Sequence, residues 1–424
     1  MSQLLARRTE LHDIGSESLS AIWRAAAREG VLHAGEELVV CGFGTASSCA
    51  LRGGLGDVRT PLVVSEMLGD IELTGAEGPG GTGVLAVGSL PFRPGDSASM
   101  WVPELLCSFE PGADSAWVTE IAAEGAHRGG DRRLAALQAL GGPAQGPGGV
   151  VERHERLSGD GYREAVVSSV ARLRAGELTK VVLARSVVGT CVEWIDPAAV
   201  AASLHEADTS CSVYSYAVPG GRLVGASPEL IVATSGRAVS AHPLAGTVAL
   251  EGDGDDAGRL EWLLASAKNR VEHSVVVDDI MRRLAPLCDT LGASDAPSIV
   301  RLSTDARLGT WIDGKLQGDP SADLAMRVLA ALHPTPAVGG VPRERALELI
   351  DTLEGAPRGQ WAGPVGWVDA GGTSTWTLAL RSLLVDQRHF EAWAGAGIVA
   401  ESDPEEERLE TAVKLASVLR VLSA

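Results

Sequence analysis

AGAGIVAESDPEEERLETAVK, residues Ala394–Lys414, begins as a glycine-punctuated strand and ends as an acidic helix. Gly395 and Gly397 leave a strand end without side chains, which lets a ligand approach the backbone. Ser402-Asp403-Pro404 is a helix start, with proline near the first helical position and acids in the first turn. Glu407, Glu410 and Lys414 recur at i, i+3 and i+7 and so share one helix face. Bare backbone beside aligned carboxylates suits a metal held next to an anion. A solvated acidic face is the simpler explanation of the same pattern.

Working outward, the apolar runs Trp361–Asp369, Ser374–Val385 and Phe390–Val399 read as three successive strands, and Asp403–Leu422 as the closing helix. Helical spacing also marks Ser16–Gly30, Asp131–Leu140, Asp160–Gly176, Pro197–Ala207, Ala257–Leu284, Ala322–Leu332 and Arg343–Leu353. In Asp160–Gly176 the apolar face is Val166, Val167, Val170 and Leu173. Strands are expected at Glu37–Cys41, Val84–Gly88, Lys180–Val188, Cys211–Ala233 and Ala238–Thr247. Strands in runs with helices between them predict an α+β fold, central antiparallel sheets covered by helices. GGPAQGPGG, Gly141–Gly149, is the strong linker signal. It separates residues 1–149, expected to complete the sheet system, from a catalytic region at 150–424 within one compact unit.

Composition narrows the function. The formal charge of −19 argues against nucleic acid or an anionic membrane surface as partner. An anionic substrate must therefore be drawn by a local cationic site. The six cysteines form no CxxC, so free thiols in a reducing cytoplasm are expected. No signal-peptide core and no run near ~18 apolar residues is present, which predicts a soluble cytoplasmic protein. Gly42-Phe43-Gly44 follows a strand as a dinucleotide fingerprint does, but the third glycine is missing and RGGLG at Arg52–Gly56 breaks the helix that should follow. PGGTGV at Pro79–Val84 lacks the GK[ST] of a phosphate loop and reads as a turn.

Several residues have the chemistry of a site. Lys180 opens an apolar strand; it either snorkels at the sheet edge or serves as a base, which requires loss of its proton by desolvation or a nearby cation. Glu229, in GASPELIV, is either a water-facing carboxylate or a buried acid able to donate a proton. Glu272 either pairs with Lys268 at i−4 or faces Glu407 and Glu410 across a cleft. Carboxylates so gathered repel unless a hard cation such as Mg²⁺ neutralises them. Arg381, in TLALRSLLV, needs a partner: a substrate carboxylate or a structural ion pair. His333, before Pro334, caps or orients a loop.

Together and in this order these segments resemble the chorismate-utilising enzyme family. The matching stretches are KVVLAR (Lys180–Arg185), GASPEL (Gly225–Leu230), HPLAGT (His242–Thr247), KNRVEH (Lys268–His273), HPTPAVGG (His333–Gly340), RGQWAGPVGW (Arg358–Trp367), ALRS (Ala379–Ser382) and the quoted segment. The resemblance implies an anthranilate synthase component I-like fold with Mg²⁺ in a cleft. By position it implies that Glu272 and Glu410 bind Mg²⁺, which grips the ring carboxylate of chorismate, with Glu407 supporting the metal. Gly395 and Gly397 meet that carboxylate, Arg381 holds the enolpyruvyl carboxylate, and Thr247 lines the ring pocket. His333 and Trp361 fall at substrate-binding positions, and Lys414 balances the acids.

The loop PTPAVGGVPRERAL resembles the isochorismate synthase branch rather than the ammonia-using branch. That implies an isomerase in which Lys180 deprotonates water for attack at C2 and Glu229 protonates the departing C4 hydroxyl. The alternative is a salicylate synthase, which goes on to eliminate pyruvate. Either acts on chorismate as a monomer without a glutamine amidotransferase partner. Menaquinone and siderophore biosynthesis are both open as the pathway served. Two positions depart from the family pattern: Trp361 replaces a usual Tyr, and Asn269 replaces a usual acid.

Overall fold

The computed structural model describes residues 3–126, 129–144, 146, 149–250 and 256–423. The expected linker falls partly outside these, at residues 145, 147 and 148. Among the described residues the strands form three sheets of thirteen, nine and three strands. The ladders are antiparallel except for the pairing of Leu4–Leu11 with Ile71–Gly75, which is parallel. The Val31–Ala34 strand is hydrogen-bonded to Ser212–Val218 in the largest sheet. Leu85–Ser89 is likewise bonded to Pro364–Asp369 in the second. Both large sheets therefore contain strands from before and after the expected linker.

The strand Lys180–Cys191 shows why the sequence folds this way. Its first eight residues are all buried. A run rich in β-branched and aliphatic residues without alternation is what a strand covered on both faces requires. It lies between Val150–Glu155 and His389–Ile398 in the sheet, and the helices Gly159–Arg174, Arg343–Glu354 and Pro404–Leu419 pack against it. The last helix starts as expected: Pro404 stands in its first turn, and the Asp403 carboxylate accepts from the amides of Glu405 and Glu406 at 2.9 and 3.0 Å.

Three local expectations are corrected. Ala257–Leu284 is two helices, Asp256–Ala265 and Ala267–Leu284. Ser266 interrupts them, because its hydroxyl caps the second helix at the Asn269 amide. Ser374–Val385 is also divided. Ser374–Leu378 lies in the nine-stranded sheet and Ser382–Asp386 in the thirteen-stranded one. Arg381, in the turn between them, takes φ +46°, a left-handed conformation uncommon for a side-chain-bearing residue. Val167 is 57% exposed, while Val166, Val170 and Leu173 are buried. The apolar face of that helix is thus narrower than the valine pair suggests. Gly42–Gly44 leads into another strand, Ser47–Leu51, and not into a phosphate-binding helix.

Candidate active site

Lys180 stands at the start of its strand with its side chain only 1% exposed, and its Nζ is 3.0 Å from Glu272 Oε1. The two meet over Gly397. A Cβ there would lie 2.1 Å from Glu272 Oε1 and 3.0 Å from Lys180 Cε. Gly395 is crowded in the same way by the Trp361 indole, 3.2 Å from where its Cβ would be. Both glycines line the pocket, but the room they leave is taken up by the protein's own side chains as well.

Glu229 sits between the strands Gly221–Ser227 and Leu230–Ser235 and is 3% exposed, so the water-facing alternative is overturned. Ser227 accepts from its amide, and its carbonyl accepts from Leu378 N, which fixes the turn. Burial raises its carboxyl to about 7, against the opposing pull of the Arg307 and Lys180 charges.

On the closing helix, Lys414 donates to Glu410 Oε1 at 2.6 Å and to the Gly395 carbonyl at 3.0 Å. Glu407 accepts from Lys268 at 2.7 Å. Of the two alternatives for Glu272, the i−4 pair with Lys268 is not formed: Lys268 reaches across to Glu407, and Glu272 takes Lys180. Burial, and then the neighbouring Glu410 charge, push Glu407 up to about 7 against Lys268. Among the described residues no group of three His, Cys, Asp or Glu side chains is arranged to hold a metal ion. Each of the three carboxylates is instead matched by a lysine. The donor chemistry still fits a hard divalent cation. The side chains supply oxygen only, and Glu407 and Glu410 retain a mutual repulsion that a cation would relieve.

Arg381 donates to Asp305 Oδ2 at 2.7 Å and lies 3.7 Å from Asp208 Oδ2. It is a structural ion pair that also lines the pocket. Trp361 lines it too, 3% exposed, and its indole N–H has no partner among the described residues. Behind it, buried Arg358 is paired with Glu354 and donates to the carbonyls of Val338 and Val182. Glu354 in turn accepts from the Ala184 amide.

One pocket is lined by Lys180, Glu229, Thr247, Glu272, Trp361, Arg381, Gly395, Gly397, Glu410 and Lys414. Two expected residues stand apart from its lining. Glu407 is one turn back, under Lys268. His333 is fully buried, with its Nε2 2.9 Å from the Phe92 carbonyl and its ring lowered to about 3 by burial. It anchors a loop and does not meet a ligand in the pocket. Three residues of the site escaped the sequence reading: Lys268 as partner of Glu407, Asp305 as partner of Arg381, and Arg307 on the pocket wall. For Arg307 a signal existed. An arginine between Ala306 and Leu308 calls for the same question that Arg381 raised among its leucines.

Residues 31–423 match the family model described as chorismate binding enzyme. The isochorismate synthase DhbC of Bacillus subtilis (strain 168) is 38% identical over 271 residues, 62% of this chain and 67% of that protein. The isochorismate synthase EntC of Escherichia coli (strain K12) is 31% identical over 364 residues, 84% of this chain and 85% of that protein. The structure of MenF, the menaquinone-specific isochorismate synthase of Escherichia coli, superposes with a TM-score of 0.82. It covers 100% of this chain and 95% of its own at 23% identity, which is a likeness of fold.

Proposed function

The chain belongs to the chorismate-binding enzyme family, and on that premise we propose that it is an isochorismate synthase. One observation carries the reading: a buried amine, Lys180, and a buried carboxyl raised to about 7, Glu229, line the same pocket. Paired acid and base groups of this kind suit the addition of water and the loss of hydroxide in one reaction.

Lys180 Nζ takes a proton from a water molecule, whose oxygen bonds to C2 of chorismate. The electron pairs of the ring diene shift, and the C4–O bond breaks. The departing hydroxyl leaves as water with the proton of Glu229. One water enters and one leaves, so the change is an isomerisation. Thr247 and Trp361 bound the ring, and a pocket arginine holds the enolpyruvyl carboxylate. Glu272 and Glu410, with Glu407 behind them, would hold Mg²⁺, which when bound offsets charge on the ring carboxylate. For Lys180 to act, its contact with Glu272 must open. The protein works as a monomer without an ammonia-supplying subunit, and its product enters menaquinone or siderophore biosynthesis, the former being the route named for the Escherichia coli MenF structure. No helix among the described residues is long and apolar enough to cross a membrane.

The test is incubation with chorismate and Mg²⁺, without ammonia, followed by chromatography. Isochorismate as the sole product is expected. Salicylate with pyruvate, or no turnover, would overturn the reading.

A further inference from the structure

Arg307 lies on Asp305–Gly309, the central strand of the three-stranded sheet. It stands directly opposite Thr247 on the strand Leu244–Ala249. Residues so paired project from the same face of a sheet, and both line the pocket. The Arg307 side chain is 9% exposed. Its hydrogen bonding among the described residues is limited to Nε donating to Asp305 Oδ1 at 3.3 Å. The two terminal nitrogens of the fork have no protein acceptor there. Burial opposes its charge, while Asp305, Glu229 and, more weakly, Glu410 sustain it.

Arg381 differs. Its terminal nitrogens already face carboxylates, Nη2 on Asp305 and Nη1 towards Asp208. Asp305 thus lies between the two guanidiniums, and only Arg307 has a free fork. A planar fork with two unused N–H edges matches a carboxylate bidentately. An uncompensated guanidinium fork on a buried wall is also costly unless a ligand completes it.

We propose that Arg307 grips the enolpyruvyl carboxylate of chorismate and gives the pocket its preference for a dicarboxylate over a ring monocarboxylate, with Arg381 acting behind it through Asp305. The inference rests on the proposed function, and the chemistry of the substrate fixes the location. Glu229 must meet the C4 hydroxyl, and the enolpyruvyl ether is on the adjacent carbon, C3. An arginine beside Glu229 is therefore at the C3 substituent, away from the ring carboxylate at C1.

The experiment compares two ligands by quenching of tryptophan fluorescence, Trp361 and Trp393 both lining the pocket. The ligands are chorismate and the ring monocarboxylate in which a hydroxyl replaces the enolpyruvyl ether. Arg307→Met keeps length and loses charge, and Arg307→Lys keeps charge and loses the fork. Arg307→Met should weaken chorismate about 10–100-fold, the range expected for a charge-assisted bidentate contact. The monocarboxylate should bind as before. Arg307→Lys should restore only part of the loss, and in turnover KM should rise more than kcat falls. Equal loss for both ligands, unchanged chorismate binding in the Met variant, or full affinity in the Lys variant would overturn the inference. If the Met variant unfolds, the Lys variant alone still decides through the last of these. Failure of the wild type to bind chorismate would overturn the proposed function as well, whereas normal binding indifferent to Arg307 overturns this inference alone.

Discussion

Replacing Glu229 with glutamine should remove the acid that releases the C4 hydroxyl and, at alkaline pH, stabilise the fold. Burial raises this carboxyl from 4.5 to about 7. The folded pKa lies above the unfolded value, so folding favours the protonated form. The favourable contribution is complete below the unfolded pKa and is lost as pH rises through about 7. The gap corresponds to about 3 kcal/mol between the two limits. Glu229→Gln keeps the shape but cannot ionise. Its melting temperature should match the wild type near pH 5 and exceed it near pH 8.5, in thermal melts followed by circular dichroism. Turnover should fall by about 10²–10⁴-fold, the usual worth of a general acid. In the wild type, kcat/KM should fall roughly tenfold between about pH 6 and about pH 8, as the protonated fraction drops. A variant that melts with the wild type at both pH values, or keeps more than about a tenth of the activity, would refute a buried proton donor at Glu229.

Other perturbations test the remaining walls of the site. Lys180→Ala should lower kcat by about 10²–10⁴-fold while chorismate binding by fluorescence stays measurable; substantial turnover would remove Lys180 as the base. Gly397→Ala places a methyl in the pocket 2.1 Å from Glu272 Oε1, so it should displace that carboxylate, crowd the ligand and depress activity, with little change in the melt because the clash is with a movable side-chain end. Arg358→Ala strands the buried Glu354 carboxylate and should cost about 3–5 kcal/mol in urea unfolding. A loss below about 1 kcal/mol would mean that Glu354 finds another partner.

The α+β architecture was legible because its strongest signals are local. The unbroken apolar run after Lys180, the proline-marked start of the last helix and the glycines of Ala394–Ile398 each require one kind of structure. What was not legible depends on contacts between distant segments. Lys268 and Glu272 are spaced to pair on one helix, yet the buried Glu407 carboxylate has the greater need of a cation and takes Lys268. The break before Ser382 is invisible in an apolar run, because periodicity cannot show that a chain passes from one sheet to another. His333 sits in a strongly patterned loop, but its ring turns to the Phe92 carbonyl, 241 residues away in sequence. Arg307 carried the signal of a lone arginine between apolar residues, but its place on the pocket wall depends on pairing with the distant strand of Thr247.

In the proposed reaction water adds at C2 of chorismate and the C4 hydroxyl departs. Turnover of unlabelled chorismate in H₂¹⁸O with Mg²⁺, read by mass spectrometry and NMR before equilibrium, tests it most directly. One heavy oxygen is expected in isochorismate, located on C2, with no label in unreacted chorismate. Isochorismate formed without label, its C2 oxygen carried over from C4, would contradict it.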